Sequence, residues 1–170
     1  VKSENPEIIT VVGGPHSSAI PERTLLEFKN FDLAIIGEGE QTFLEICERV
    51  KKGAGLESLA GIVRRKGGEM FRDTARPLIQ NLDWLPNPAR DLIDHSLYKG
   101  ASTPGLDATL HKTTELFTSR GCPEQCIFCA SHLVFGAKVR FRSAEHIFKE
   151  VDQCIENWAY RHFTIDDDTF

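Results

Sequence analysis

Short apolar runs that end in glycine set the rhythm of the first part of the chain. Ile8-Ile9-Thr10-Val11-Val12 runs into Gly13-Gly14, and Leu33-Ala34-Ile35-Ile36 runs into Gly37. A run that is apolar without alternation reads as a strand buried on both faces, as in a parallel sheet. Between the two, Pro21–Phe28 reads as a short helix with proline in its first turn. Thr42–Lys51 then places Phe43, Leu44, Ile46, Cys47 and Val50 at helical spacing, with Gly53 as a stop. Strand, helix, strand, helix predicts an α/β fold, the C-terminal part of a doubly wound sheet with helices on its faces. Such sheets bind ligands at the carboxyl ends of their strands, where this chain carries its glycines.

Further along, Gly61–Arg72 contains two short runs flanking Gly67-Gly68, a β-hairpin expected to decorate an edge. From Ala75 to about Lys112 the pattern lapses into Pro77, Pro86, Pro88 and Pro104 among polar residues, a connector whose Trp84, Leu85, Leu92 and Ile93 are expected to anchor it on a domain surface. Periodicity returns with Glu115–Ser119 as a strand, Ser143 as the cap of a helix to about Trp158, and His162–Ile165 as a second strand. Ile147, Val151, Cys154 and Trp158 form the helix's apolar stripe. The expected division is 1–75, a connector over 76–112, and a second α/β region over 113–170. Both ends fall beside strands and Val1 is not a methionine, so a piece of a longer protein is expected.

Composition narrows the classes without choosing among them. The chain has 170 residues, 41% of them hydrophobic and 26% charged, as in an ordinary globular protein. No apolar run reaches bilayer length, so no membrane span is expected. A formal charge of −5 supplies no basic footprint for nucleic acid.

Chemistry concentrates in Arg120-Gly121-Cys122-Pro123-Glu124-Gln125-Cys126-Ile127-Phe128-Cys129. Three thiolates on one short loop suit three irons of a 4Fe–4S cluster whose fourth iron stays open to a small molecule. Zinc is the competing metal, since Cys122, Cys126, Cys129 and His132 offer it three sulfurs and an imidazole. Disulfide pairing fits poorly with an odd total of five cysteines and no visible signal peptide, which points to a reducing, cytoplasmic setting. Cys47 and Cys154 lack partners at metal spacing and are expected in the core.

Phe117-Thr118-Ser119-Arg120-Gly121-Cys122 through Cys129 resembles the cluster loop of the radical S-adenosylmethionine superfamily. Val139-Arg140-Phe141-Arg142-Ser143 and Ile165-Asp166-Asp167-Asp168-Thr169-Phe170 resemble the segments downstream of that loop in members with a cobalamin-binding domain. Val11–His16 and Ile36–Glu40 resemble the second half of that domain, and Leu82–Asp91 its connector, with a likeness to the anaerobic magnesium-protoporphyrin monomethyl ester cyclase branch. The resemblance implies a partial TIM-type barrel opening after residue 113. It implies a cluster on Cys122, Cys126 and Cys129 that reductively cleaves S-adenosylmethionine, and cobalamin as second cofactor. It also implies methyl transfer, radical modification or cyclisation of a small molecule, with an electron donor such as flavodoxin or ferredoxin. A tRNA methylthiotransferase-like enzyme shares the cysteine motif, and a non-catalytic zinc module remains a reading of another class.

By the same resemblance, Gly13, Gly14, Gly37, Glu38 and Gly39 lie against cobalamin; read without the family, a plain strand-to-helix turn is the commoner reason for glycine in such places. Phe128 is placed near the adenine of S-adenosylmethionine, and Asp166, Asp167 or Asp168 accepts from its amino group. Read without the family, three carboxylates after a strand suit Mg²⁺ or plain surface. His16 is read as a turn residue at a helix entrance rather than a cobalt ligand, and no catalytic side chain is assigned.

Overall fold

Leu33, Ala34 and Ile35 are all buried, and the strand they form is the hub of the first sheet. The computed structural model describes residues 1–97 and 113–169. Positions 98–112 of the connector, with Pro104, and the terminal Phe170 lie outside the described residues. The chain divides into two compact units, Val1–Ile79 with Cys122–Ala137, and Gln80–Gly121 with Lys138–Phe170.

In the first unit the order is β1 (Val11–Val12), α1 (Pro15–Ala19), α2 (Pro21–Glu27), β2 (Leu33–Ile35), α3 (Glu40–Lys51), β3 (Ile62–Lys66) and β4 (Glu69–Arg72), joined by the later α4 (Ser131–Phe135). β1 and β2 pair in parallel through Val11↔Leu33 and Val12↔Ala34. β3 then pairs antiparallel with β2, and β4 with β3. Side chains alternate across β2. Leu33 and Ile35 meet Ile46, Leu59 and Ile62 on one face, while Ala34 meets Leu25 and Val63 on the other. Each fully buried side chain of this size contributes about 1.5–3 kcal/mol of hydrophobic stabilisation.

The structure departs from several expectations in this unit. The first strand is shorter than Ile8–Val12, because Ile8 and Ile9 stay 40% exposed. The hairpin is no edge decoration, because Ile62 and Val63 fill both faces and make β3 an inner strand. Cys47 is exposed, not core. The inward face of α3 is instead Thr42 and Ile46, and Arg49 is tied to the Gly55 and Glu57 carbonyls. Thr42 packs so closely on Gly61 that a methyl there would sit 2.9 Å from its hydroxyl. Phe43, Leu44, Cys47 and Val50 face outward.

The second unit holds two short 3₁₀ turns, Leu82–Trp84 and Arg90–Leu92, a third at His95–Leu97, then β5 (Thr113–Leu116), β6 (Ser119–Arg120), β7 (Arg140–Phe141), α5 (Ala144–Trp158) and β8 (His162–Ile165). β5 and β8 pair in parallel, with α5 in the connection between them, as a crossover between parallel strands requires. β6 and β7 form a separate antiparallel pair. The strand expected over Glu115–Ser119 is thus broken at Phe117-Thr118 into β5 and β6. Ser143 caps α5 by accepting from the His146 amide at 3.1 Å, and Ala159 closes it in a left-handed conformation. The connector's apolar anchors also differ from expectation. Trp84, Leu92 and Ile93 are exposed and Leu85 is half-buried, while Leu82 and Ile79 are buried. Successive residues of a three-residue turn point apart, so Leu82 turns in as Trp84 turns out.

Candidate functional site

Gly121 enters the cysteine loop with φ +97°, in the region glycine tolerates. Neither helix nor strand forms from there to Ala130. The Cys122 amide donates to the Gly136 carbonyl at 3.3 Å, and the Cys129 amide to the Cys126 carbonyl at 3.0 Å. The second bond closes a tight turn that carries Ile127 and Phe128, the latter 88% exposed. All three thiols are free, Cys122 half-buried and Cys126 and Cys129 exposed. Among the described residues, no three His, Cys, Asp or Glu side chains are already gathered around a metal position. That applies to the zinc set with His132 as much as to the three cysteines. The donor chemistry nevertheless fits an iron–sulfur cluster: three unpaired thiols stand within eight positions, on a backbone that no regular element holds rigid.

The two glycine turns lie at the carboxyl ends of β1 and β2 and are stitched together. The Ser18 hydroxyl donates to the Gly14 carbonyl at 2.9 Å and accepts from the Gly37 amide at 3.0 Å. The Ser17 hydroxyl, fully buried, reaches the Gly14 and Ile35 carbonyls, each at 3.2 Å. Gly14 has φ +96° and ψ −171°, a conformation other residues adopt only under strain, and the space beside it is open. Gly37, at φ +74°, faces the Val134 carbonyl of α4. A methyl added at Gly13 or Gly39 would come only into ordinary van der Waals contact with Ile35. Glu38 is 6% exposed and accepts from the Ile79 amide at 2.7 Å. His16 is exposed within α1, not at a turn before it. A cleft of about 230 Å³ in this unit is lined by Ile36, Gly37, Arg76, His132 and Gly136 among others.

The three carboxylates after β8 have separate fates. Asp166 and Asp168 are exposed, and the Asp166 amide extends the β5 pairing through the Leu116 carbonyl. Asp167 turns back onto the segment after β5. It accepts from the Thr118 amide at 2.7 Å, the Ser119 amide at 3.0 Å, the Ser119 hydroxyl at 2.8 Å and the Thr118 hydroxyl. Burial pushes its pKa up, but these bonds outweigh burial and hold the carboxyl below its usual range. Buried serines 17 and 18, and the Thr118-Ser119 pair, were not picked out from sequence. A hydroxyl pair just after a glycine turn or just before a cysteine loop is the signal that would have found them.

No protein-family model matches the chain. It is 35% identical over 170 residues to an uncharacterized methyltransferase of Pyrococcus horikoshii, covering 99% of this chain and 35% of that protein. It is 27% identical to the anaerobic magnesium-protoporphyrin IX monomethyl ester cyclase of Rubrivivax gelatinosus, over 98% of this chain and 29% of that one. Its fold superposes on the cobalamin-dependent S-adenosylmethionine radical enzyme OxsB, solved with aqua-cobalamin bound, with TM-score 0.72 and 25% identity over 99% of this chain and 22% of that one. The chain therefore spans about a third or less of the length of the proteins it matches. By sequence and by fold it is a relative of the cobalamin-dependent radical S-adenosylmethionine proteins and of the anaerobic porphyrin ester cyclase.

Proposed function

We propose that this chain is the junction region of a radical S-adenosylmethionine enzyme that also binds cobalamin, acting on a small molecule by methyl transfer, radical modification or cyclisation. The observation that carries the reading is a single continuous likeness over 99% of the chain, which takes in both the glycine turns and the three-cysteine loop. Cys122, Cys126 and Cys129 would hold a 4Fe–4S cluster with one open iron, which when bound supplies the electron for cleaving S-adenosylmethionine. Phe128 is well exposed for stacking on the adenine. Asp166 and Asp168, with carboxylates at the surface, are the acidic groups available to the cofactor's amino group, since Asp167 is engaged with Thr118 and Ser119. Gly13, Gly14, Gly37 and Gly39 would let cobalamin approach the backbone, with Ser17 and Ser18 fixing the two turns. Glu38 would act there by shaping the turn through Ile79. The role of the protein is to bind, orient and exclude water while the cofactors carry the chemistry.

An electron donor such as flavodoxin or ferredoxin and a cytoplasmic setting complete the proposal; among the described residues no helix is long and apolar enough to cross a membrane. The test is anaerobic iron–sulfide reconstitution of the full-length protein that contains this chain, followed by electron paramagnetic resonance of the reduced sample with and without S-adenosylmethionine. The expected result is a 4Fe–4S signal that shifts when S-adenosylmethionine is added. Zinc in place of iron, lost on changing His132→Ala, would instead leave a zinc-binding module.

A further inference from the structure

Glu150 is charged in type and 1% exposed, in the middle of the inward face of α5. An isolated carboxylate is not tolerated at such a position, and this one is met from two sides. The Arg90 guanidinium lies 2.6 Å from one carboxylate oxygen and the Arg142 guanidinium 2.6 Å from the other. Both arginine side chains are themselves about nine-tenths buried. Each still has donors to spare. Arg90 spends one on the Glu115 carbonyl at 2.9 Å, and Arg142 spends one on the Phe117 carbonyl at 2.8 Å. The Glu115 carbonyl lies near the end of β5, and the Phe117 carbonyl in the break between β5 and β6. The next two residues, Thr118 and Ser119, have their amides held by Asp167 at 2.7 and 3.0 Å. Backbone groups from 115 to 119 are therefore gripped by side chains from the connector, from the residue before α5's cap, and from the segment after β8. Cys122 comes three positions after Ser119 in the sequence.

We propose that Glu150, acting through Arg90 and Arg142, is a positioning residue that fixes the backbone stem 115–119 leading into the cysteine loop. Glu150 acts on the stem indirectly: it accepts a hydrogen bond from Arg90 and pairs by charge alone with Arg142, whose guanidinium also donates to the His146 ring at 3.1 Å and the Asn87 side chain at 3.2 Å. The function of the stem rests on the cluster reading, but the grip on it does not, and the experiment separates them. In the full-length protein, Arg90→Met, Glu150→Leu and Arg142→Met are combined, because apolar replacement of a buried ionic triad is often neutral or stabilising. Glu150→Gln alone is the second variant, keeping shape while removing the charge that both guanidinium groups face. Amide exchange of residues 117–119 and the melting temperature are measured without metal, and iron content after reconstitution.

The expected result is that the triple variant melts within a few degrees of wild type while the stem amides exchange about tenfold or more faster. Glu150→Gln is expected to do the same to the stem, and both variants to take up less iron. Unchanged stem exchange in a folded triple variant overturns the proposal, whatever its iron content. If wild type takes up no iron while the stem loosens as expected, the positioning role stands and the cluster reading falls. Should the triple variant fail to fold, the stem exchange of Glu150→Gln decides, and parity with wild type there overturns the proposal equally.

Discussion

A single residue can belong to the same type and play opposite parts, and the five cysteines illustrate it. Burial pushes the Cys154 thiol up, so it stays protonated and inert in the core, whereas Cys122, Cys126 and Cys129 are accessible. Changing any one of those three to Ala in the full-length protein is expected to abolish reconstituted iron, while Cys47→Ala and His132→Ala retain it, checked by iron and sulfide analysis. Asp167 provides a second residue-scale test. Its folded pKa lies below the ordinary aspartate value, so its contribution is complete above about pH 4 and is lost as pH falls through that range and lower. Asp167→Asn should cost about 1–2 kcal/mol at neutral pH through its lost hydrogen bonds. The same change should flatten the acid limb of a stability–pH curve; an unchanged acid limb would count against the assignment.

Elements depend on their ends. α5 begins at Ser143, whose hydroxyl takes up the His146 amide, and Ser143→Ala is expected to lower stability by about 1 kcal/mol, measured by denaturant unfolding. Gly14 sits where β1 gives way to α1 with a backbone only glycine adopts freely, so Gly14→Ala should cost about 1–3 kcal/mol, read from the melting of the protein. The hairpin of β3 and β4 shows how an element's rank depends on its neighbours. Its turn was legible from Gly67-Gly68, but its place inside the sheet came from pairing Ala34 with Val63. α3 makes the same point: Thr42, packed against Gly61, lies inward while the more apolar face of Phe43, Leu44 and Val50 is exposed.

Across the whole molecule, the glycine turns and the cysteine loop are separate determinants of two cofactors under the proposed function. Cys126→Ala should therefore remove iron and leave cobalamin absorbance, while Gly14→Val, in protein shown to be folded, should weaken cobalamin and leave iron. Loss of both together in either variant would mean that the two sites are not independent. Features that are local and chemical are legible in the chain alone: the apolar runs, the helix cap at Ser143, the glycine turns and the spacing of Cys122, Cys126 and Cys129. Those arise from short-range sterics, periodicity and donor type, which each residue carries with it. Packing between segments, by contrast, leaves Cys47 exposed, makes β3 an inner strand, engages Asp167 out of its acidic triple, and sets Glu150 between Arg90 and Arg142. Each of those depends on partners outside its own element, because close packing and the demand that buried polar groups be satisfied act between segments that no local pattern links.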